Sequence, residues 1–189
     1  MDVLKLAENG PVLISPKVFK DNRGYFYESF NEKEFKEKVG DVNFVQDNQS
    51  CSAYGVLRGL HFQTGEYEQA KLVRVVKGAV ADVAVDIRPD SKTYGKYYFA
   101  YLSEENNRQF FIPRGFAHGF VSLREGTIFQ YKCDNLYNKE SEGAIFYADP
   151  ALGIPWGQWI NWSDIKVSDK DMTNPLLNNG KNEINVDEQ

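Results

Sequence analysis

The chain has 189 residues and a formal net charge of −5 at pH 7, of a size usual for one domain. This acidic balance argues against a nucleic-acid or anionic-membrane partner, because both need a basic surface. Two cysteines are too few for a disulfide framework or a thiolate metal site. The start of the chain, 1–5, lacks the basic-then-apolar pattern of a signal peptide, so we expect a soluble protein of the cytoplasm.

Most of the chain is predicted to form short strands, because β-branched and aromatic runs alternate with turn sequences rich in Gly, Asn and Asp. The predicted strands are Val12–Phe19, Gly24–Phe30, Asn43–Ser52, Val56–Gln63, Lys71–Lys77, Val80–Ile87, Lys96–Leu102, Gln109–Ile112, Ala117–Leu123, Thr127–Cys133 and Gly143–Tyr147. Such spacing is typical of an all-β sandwich or barrel of the jelly-roll type.

One segment interrupts the strands as a predicted short helix. Asn31 can cap Glu32–Val39, Phe35 lies on its apolar stripe, and Gly40 ends it. From Leu177 onward polar residues dominate. We therefore expect a single domain over 1–176 and a polar tail over 177–189.

The chain has only two histidines, and both lie in apolar, glycine-flanked strands: GVLRGLHFQ around His61 and IPRGFAHGF around His118. A single histidine in such a setting is more often a core residue bonded to the backbone. Two in matching settings favour a functional site, because histidine exchanges protons near neutral pH.

Strand alternation predicts which neighbours share a face with these residues. His61 is predicted to share a face with Leu57, with Arg58 pointing the other way unless Gly59 hosts a bulge that redirects it. The same rule puts Lys71 on the face of Val73 and Val75, where a lysine either reaches the rim or supplies a buried cation.

On the strand Thr127–Cys133, alternation places Tyr131 on the face of Phe129 and Lys132 on the other. Tyr131 is predicted either to pack in the barrel or to present its hydroxyl to a partner.

A metal site is a competing interpretation. Two histidines and an acid such as Glu68 resemble the ligand set of cupin-type iron oxygenases. However, the first pair here is His61 and Gln63, glutamine is a poor ligand for iron or zinc, and a loop separates it from Glu68. We therefore expect no metal ion.

An ordered set of motifs from about Val12 to Leu177 resembles the dTDP-4-dehydrorhamnose 3,5-epimerase family. The motifs are DNRGYFYE (21–28), QDNQS (46–50), GVLRGLH (55–61), KLVRV (71–75), DVAVDIR (82–88), IPRGFAHGF (112–120), YK (131–132) and SDKD (168–171). The resemblance implies a metal-free, cofactor-free, cupin-like jelly roll with a few short helices, commonly a homodimer. It also implies inversion of C3 and C5 of dTDP-4-dehydro-6-deoxy-D-glucose through an enolate, in dTDP-rhamnose biosynthesis.

The resemblance assigns a catalytic role to four residues. His61 is implied as the base, with Asp171 (rather than the nearby Asp169) as the carboxylate that orients it. Lys71 is implied to stabilise the negative charge that develops on the ketone oxygen. Tyr131 is implied to return a proton from the opposite face of the sugar.

The resemblance also implies a larger set of substrate contacts. They are Arg23, Phe26, Glu28, Gln46, Asn48, Arg58, His118, Tyr137 and Glu142. Chemically, Arg23 suits a diphosphate, an aromatic ring suits stacking on thymine, and amides suit the polar edge of the base. Three alternatives remain open at this point: an enzyme that inverts one centre or moves the ketone, a metal-dependent oxygenase, and a nucleotide-sugar binding module without activity.

Overall fold

A computed structural model describes residues 1–177 of the chain. Thirteen strands carry most of it: β1 Asp2–Lys5, β2 Val12–Ser15, β3 Phe19–Asp21, β4 Gly24–Phe26, β5 Gln46–Ser52, β6 Leu57–Gln63, β7 Lys71–Lys77, β8 Ala79–Asp86, β9 Tyr97–Ser103, β10 Gln109–Ile112, β11 Phe116–Ser122, β12 Thr127–Cys133 and β13 Glu142–Ala144. The α-helices are α1 Glu32–Lys38 and α2 Asp169–Met172, and 3₁₀ turns lie at Gly65–Tyr67, Lys139–Ser141, Trp156–Gln158 and Trp162–Asp164.

The large strands form two antiparallel sheets. One sheet has the order β1-β2-β10-β7-β12-β5 and the other β13-β6-β11-β8-β9, while β3 and β4 form a separate hairpin. The two sheets face each other across a shared core that includes Val73 and Phe129 from the first and Val80 and Phe116 from the second. The predicted all-β jelly-roll fold with a few short helices is therefore confirmed.

Two further apolar clusters cover the outer faces of the sandwich. On the six-stranded sheet, Phe35 of α1 packs beside Val12, Ile14 and Leu72. On the five-stranded sheet, the chain after β13 packs with a fully buried Trp156 at its centre. Helix α1 and the segment after β13 therefore each cover part of an outer face, while the space between the two sheets is lined by their inner faces.

Several predicted boundaries are wrong in detail. β1 was not predicted, the segment Val12–Phe19 breaks after Ser15 at Pro16, and Gly24–Phe30 is a strand only over Gly24–Phe26. Proline lacks the amide donor that a strand ladder needs, which explains the first break. The predicted helix is confirmed, with the Asn31 side chain accepting from the Glu34 amide.

The predicted tail, 177–189, lies outside the described residues except for Leu177. The Leu177 amide donates to Asp149 at 2.7 Å, and its side chain packs on the outer cluster of the five-stranded sheet. Within residues 1–177, every helix is too short or too polar to cross a membrane.

Candidate active site

An irregularity in β6 decides which of its side chains enter the sandwich. Between β6 and β11, His61 pairs with His118 but Arg58 pairs with Phe120, so β6 contains one residue more than its partner. This is a β-bulge, and it lets Arg58 and His61 point to the same side. The simple alternation that put His61 with Leu57 is wrong, and the alternative of a bulge at Gly59 is the one observed.

Gly59 is the residue that makes this bulge sterically feasible. Its φ is +121°, and a Cβ there would lie 2.6 Å from the Cα of Gly119 and 2.7 Å from the carbonyl oxygen of His118. The neighbours Leu57 and Leu60 are fully buried in the outer cluster. The bulge therefore anchors two leucines on one side and presents the polar residues on the other.

A cavity of about 400 Å³ opens between the two sheets on that polar side. Its volume lies within the usual range for small-molecule sites. Seven of the residues singled out from the sequence line it: Asn48, Arg58, His61, Lys71, His118, Tyr131 and Asp171.

The shortest contact in the cavity joins His61 to Asp171. The His61 Nε2 lies 2.6 Å from Asp171 Oδ1, and the Asp171 carboxylate also accepts from the Gly59 amide and the Asn174 side-chain amide at 3.4 Å. The His61 ring is 33% exposed, whereas the Asp171 side chain is 6% exposed. The pair thus combines a held carboxylate with a ring that can still reach a ligand.

The short helix α2 places Asp171 in this position. Ser168 caps the helix by accepting from the Asp171 amide at 3.1 Å. Lys170, one residue earlier, forms an ion pair with Glu142 of β13 at 2.8 Å. These contacts tie α2 to the strand next to β6, while Asp169 is exposed to solvent.

A second histidine–carboxylate pair lies deeper in the same region. His118 Nε2 lies 3.0 and 3.1 Å from the two oxygens of Asp82 on β8, and the ring stacks on Phe129. Burial lowers the pKa of His118, although the Asp82 charge opposes this shift. A neutral imidazole that donates its Nε2 proton to Asp82 fits this setting.

Lys71 is a half-buried lysine in the cavity wall. Burial lowers the pKa of its ammonium group, and the acidic side chains around it, Cys133, Asp82 and Glu142, oppose the shift. Its Nζ lies 5.9 Å from the ring centroid of Tyr131. The lysine is on the face of Val73 and Val75, as alternation predicted.

Tyr131 lies on the inner face of β12 with Phe129, whose ring it contacts, and Lys132 points outward to Asp47. Burial is the main cause that raises the pKa of the Tyr131 hydroxyl. The hydroxyl is therefore protonated at neutral pH and can donate a proton or a hydrogen bond.

Three other predicted contact residues form a cluster beside the cavity rather than in its lining. The Gln46 side chain donates to Asn48 at 3.1 Å and accepts from the Tyr137 amide at 3.1 Å. The Tyr137 hydroxyl in turn donates to Glu142 at 3.3 Å. Gln46 thereby connects this cluster to Asn48, which does line the cavity.

The remaining predicted contacts are not brought to the cavity of the same chain. Arg23 and Phe26 lie on the β3–β4 hairpin, where their side chains are highly exposed and Arg23 bonds to Asp21. Glu28 follows the hairpin and accepts from Asn31 at 3.3 Å.

Two polar residues of the site were not singled out from the sequence. Asp82 holds His118, and the buried Ser52 accepts from Arg58 Nε at 3.2 Å. The signal for Asp82 was available, because a carboxylate in the apolar run of β8 must have a buried partner.

The alternative metal site lacks its geometry. Glu68 lines a different cavity from His61 and His118, and the Gln63 side chain accepts from the Asn138 amide. Within 1–177, no group of three or more His, Cys, Asp and Glu side chains is arranged to hold a metal ion.

Known proteins resemble the chain over nearly its whole length. The family model for dTDP-4-dehydrorhamnose 3,5-epimerase matches residues 5–179. Proteins with that name from Salmonella typhimurium and Methanothermobacter thermautotrophicus are 51% and 49% identical, covering 94% and 93% of this chain and 96% and 95% of the relatives. A crystal structure of dTDP-6-deoxy-D-glucose-3,5-epimerase from Legionella pneumophila, in complex with dTDP-4-keto-L-rhamnose, is similar with a TM-score of 0.88 and 46% identity, over 94% of this chain and 93% of that one.

Proposed function

Since the chain belongs to the dTDP-4-dehydrorhamnose 3,5-epimerase family, we propose that its cavity binds dTDP-4-dehydro-6-deoxy-D-glucose and inverts C3 and C5. Both carbons flank the ketone, so the carbanion formed by removing either hydrogen is stabilised as an enolate. Such a reaction needs a base, a group that stabilises negative oxygen, and an acid on the opposite face of the ring.

His61 is the base in this proposal. Its Nε2 is held by Asp171, so the other ring nitrogen, Nδ1, is the one that takes the proton from carbon. The carboxylate orients the ring and stabilises the imidazolium that forms. Proton removal leaves an electron pair that moves onto the ketone oxygen.

Lys71 stabilises that oxygen, and Tyr131 completes the inversion. A half-buried ammonium group acts more strongly on a nearby developing charge than an exposed one, because less water screens it. In this proposal Tyr131 returns a proton from the other face of the sugar; its protonated hydroxyl and its place in the wall of the same cavity as His61 support this role.

The observation that carries the proposal is the His61–Asp171 contact in a cavity that also holds Lys71 and Tyr131. The test is to incubate the protein with the keto sugar in D₂O and to follow the ring hydrogens by NMR. We expect deuterium at both C3 and C5, and consumption of NADPH when a 4-keto reductase is added.

Each outcome of this test decides between the alternatives. Exchange at one carbon alone would identify an enzyme that inverts a single centre. Binding without exchange would identify a binding module, and exchange that is lost after chelator treatment would identify a metal-dependent enzyme.

We also propose that the protein is a homodimer in which the β3–β4 hairpin of one chain completes the site of the other. The hairpin carries Arg23 and Phe26 away from its own cavity, and Phe19, Tyr25 and Phe26 expose more than half of their side-chain surface. Exposed aromatic residues of this density favour burial against another chain.

Co-expression of two inactive variants tests the shared site. A His61→Asn chain and an Arg23→Ala chain form mixed dimers with one intact site, which restores roughly a quarter of wild-type turnover if chains pair at random. Absence of recovery, or a monomer in light scattering, would contradict the shared site.

The proposal further places the protein in the cytoplasm, since the exposed thiol of Cys51 is free.

A further inference from the structure

The inward face of β5 presents a row of polar side chains to the cavity. Gln46, Asn48, Ser50 and Ser52 alternate along this face, and Asn48 and Ser50 both line the cavity. Among the buried side-chain nitrogen and oxygen atoms of residues 1–177, only the hydroxyl oxygen of Ser50 lacks a hydrogen-bond partner in the protein. Such atoms are rare in folded proteins and call for an explanation.

The neighbours of Ser50 on this face do have partners. Asn48 contacts Gln46 and the Cys133 sulfur, and Ser52 accepts from Arg58. Ser50 instead lies opposite Phe129 on β12, whose ring stacks on Phe120 at 4.2 Å. The side chain of the paired Phe129 has no hydrogen-bonding group, so we look for the partner of the hydroxyl within the cavity that Ser50 lines.

We propose that Ser50 is a specificity-determining residue that donates a hydrogen bond to the C2 hydroxyl of the substrate hexose. This inference rests on the proposed function. The cations Arg58 and Lys71 in the same cavity suit the anionic and ketone oxygens, whereas a neutral hydroxyl suits a neutral sugar hydroxyl.

The C2 hydroxyl is the fitting partner because it does not move during the reaction. The C3 hydroxyl moves to the other face of the ring when C3 inverts, so a donor fixed on a strand would lose its hydrogen bond to that hydroxyl during turnover. The C2 centre keeps its configuration, and a sugar without that hydroxyl would leave Ser50 buried and unpaired.

The experiment compares wild type and Ser50→Ala with the keto sugar and with its 2-deoxy analogue. With the keto sugar we expect kcat/KM to fall roughly 3- to 10-fold, as for loss of one neutral hydrogen bond. With the 2-deoxy analogue the two proteins should be equal. The same fall with both sugars would overturn the inference.

A stability measurement separates this role from a structural one. Removing a buried hydroxyl without a partner should raise the melting temperature of the free protein by about 2–4 °C. The matched variant Ser52→Ala, on the same face of β5, loses a hydroxyl that accepts a hydrogen bond from Arg58. Its melting temperature should therefore be lower than that of wild type. A lower melting temperature for Ser50→Ala would overturn the inference.

Cys51→Ala is the activity control, because Cys51 is adjacent on β5 and exposed on the opposite face. It should leave kcat/KM unchanged for both sugars. Wild-type protein without turnover would overturn the proposed function and this inference with it, whereas active wild type with an unchanged Ser50→Ala variant would overturn the inference alone.

Discussion

Two histidine–carboxylate pairs meet the same cavity, which His61, Asp171 and His118 line, and the surroundings of the two pairs differ. His61 is 33% exposed and is paired with a carboxylate on the short helix α2. His118 is 7% exposed and is paired with a completely buried carboxylate on the adjacent strand β8.

This difference concerns what each imidazole can do with a proton. A ring at the cavity surface can reach a ligand and take a proton from it. A ring inside the sandwich resists protonation, because burial lowers its pKa. We therefore expect the first pair to control proton transfer and the second to hold the cavity wall and its charges in place.

The largest expected effect is on the first pair. His61→Asn should reduce deuterium exchange at the substrate carbons by about 10³-fold, because the variant has no group that accepts the proton. Substrate affinity by calorimetry and the melting temperature should change little. Exchange within 10-fold of wild type would remove His61 from the role of base.

Asp171→Asn should have the next largest effect. The amide cannot stabilise the imidazolium and can favour the other tautomer, so we expect kcat to fall by about 10²-fold. Asp169→Asn is the matched control, since this exposed carboxylate lies on the same helix and should leave kcat unchanged. Equal losses in the two variants would show that helix α2, not the carboxylate, is what matters.

The His118–Asp82 pair should contribute mainly to the free energy of unfolding. Asp82→Ala leaves the buried His118 without a partner, so unfolding by urea should show a loss of about 2–4 kcal/mol. Asp82→Asn keeps an acceptor and should lose much less. If Asp82→Ala were as stable as wild type, the supporting role of this pair would be wrong.

The smallest expected effect is a change in pH dependence. The proposed role of Lys71 requires its charged form, and burial lowers the pKa of this lysine, so we expect activity to fall as the pH rises through that lowered value. Asp82 opposes the lowering, and Asp82→Asn should therefore move the alkaline limb of the kcat/KM profile to lower pH. A shift to higher pH would contradict the electrostatic link between Asp82 and Lys71.

The local patterns of the sequence predicted the fold well because strand formation depends on near neighbours. The runs Lys71–Lys77, Gln109–Ile112 and Thr127–Cys133 were predicted with their observed boundaries. Alternation also grouped Lys71 with Val73 and Val75, and Tyr131 with Phe129, and the structure places these residues on the inner face. Alternation failed at Gly59, where an extra residue reversed the faces of the residues before it.

The sequence by itself determined the fold class, the family and the residue types of the site, because strand alternation and ordered motifs are written along the chain. Only the tertiary structure decided which of these residues meet. His61 and Asp171 are 110 positions apart in the chain. The contact between Asp82 and His118 became evident only from the pairing of β8 with β11. The tertiary structure also separated Arg23 and Phe26 from the cavity and left the Ser50 hydroxyl without a protein partner. These outcomes depend on the packing of distant segments and on burial, which no local pattern specifies.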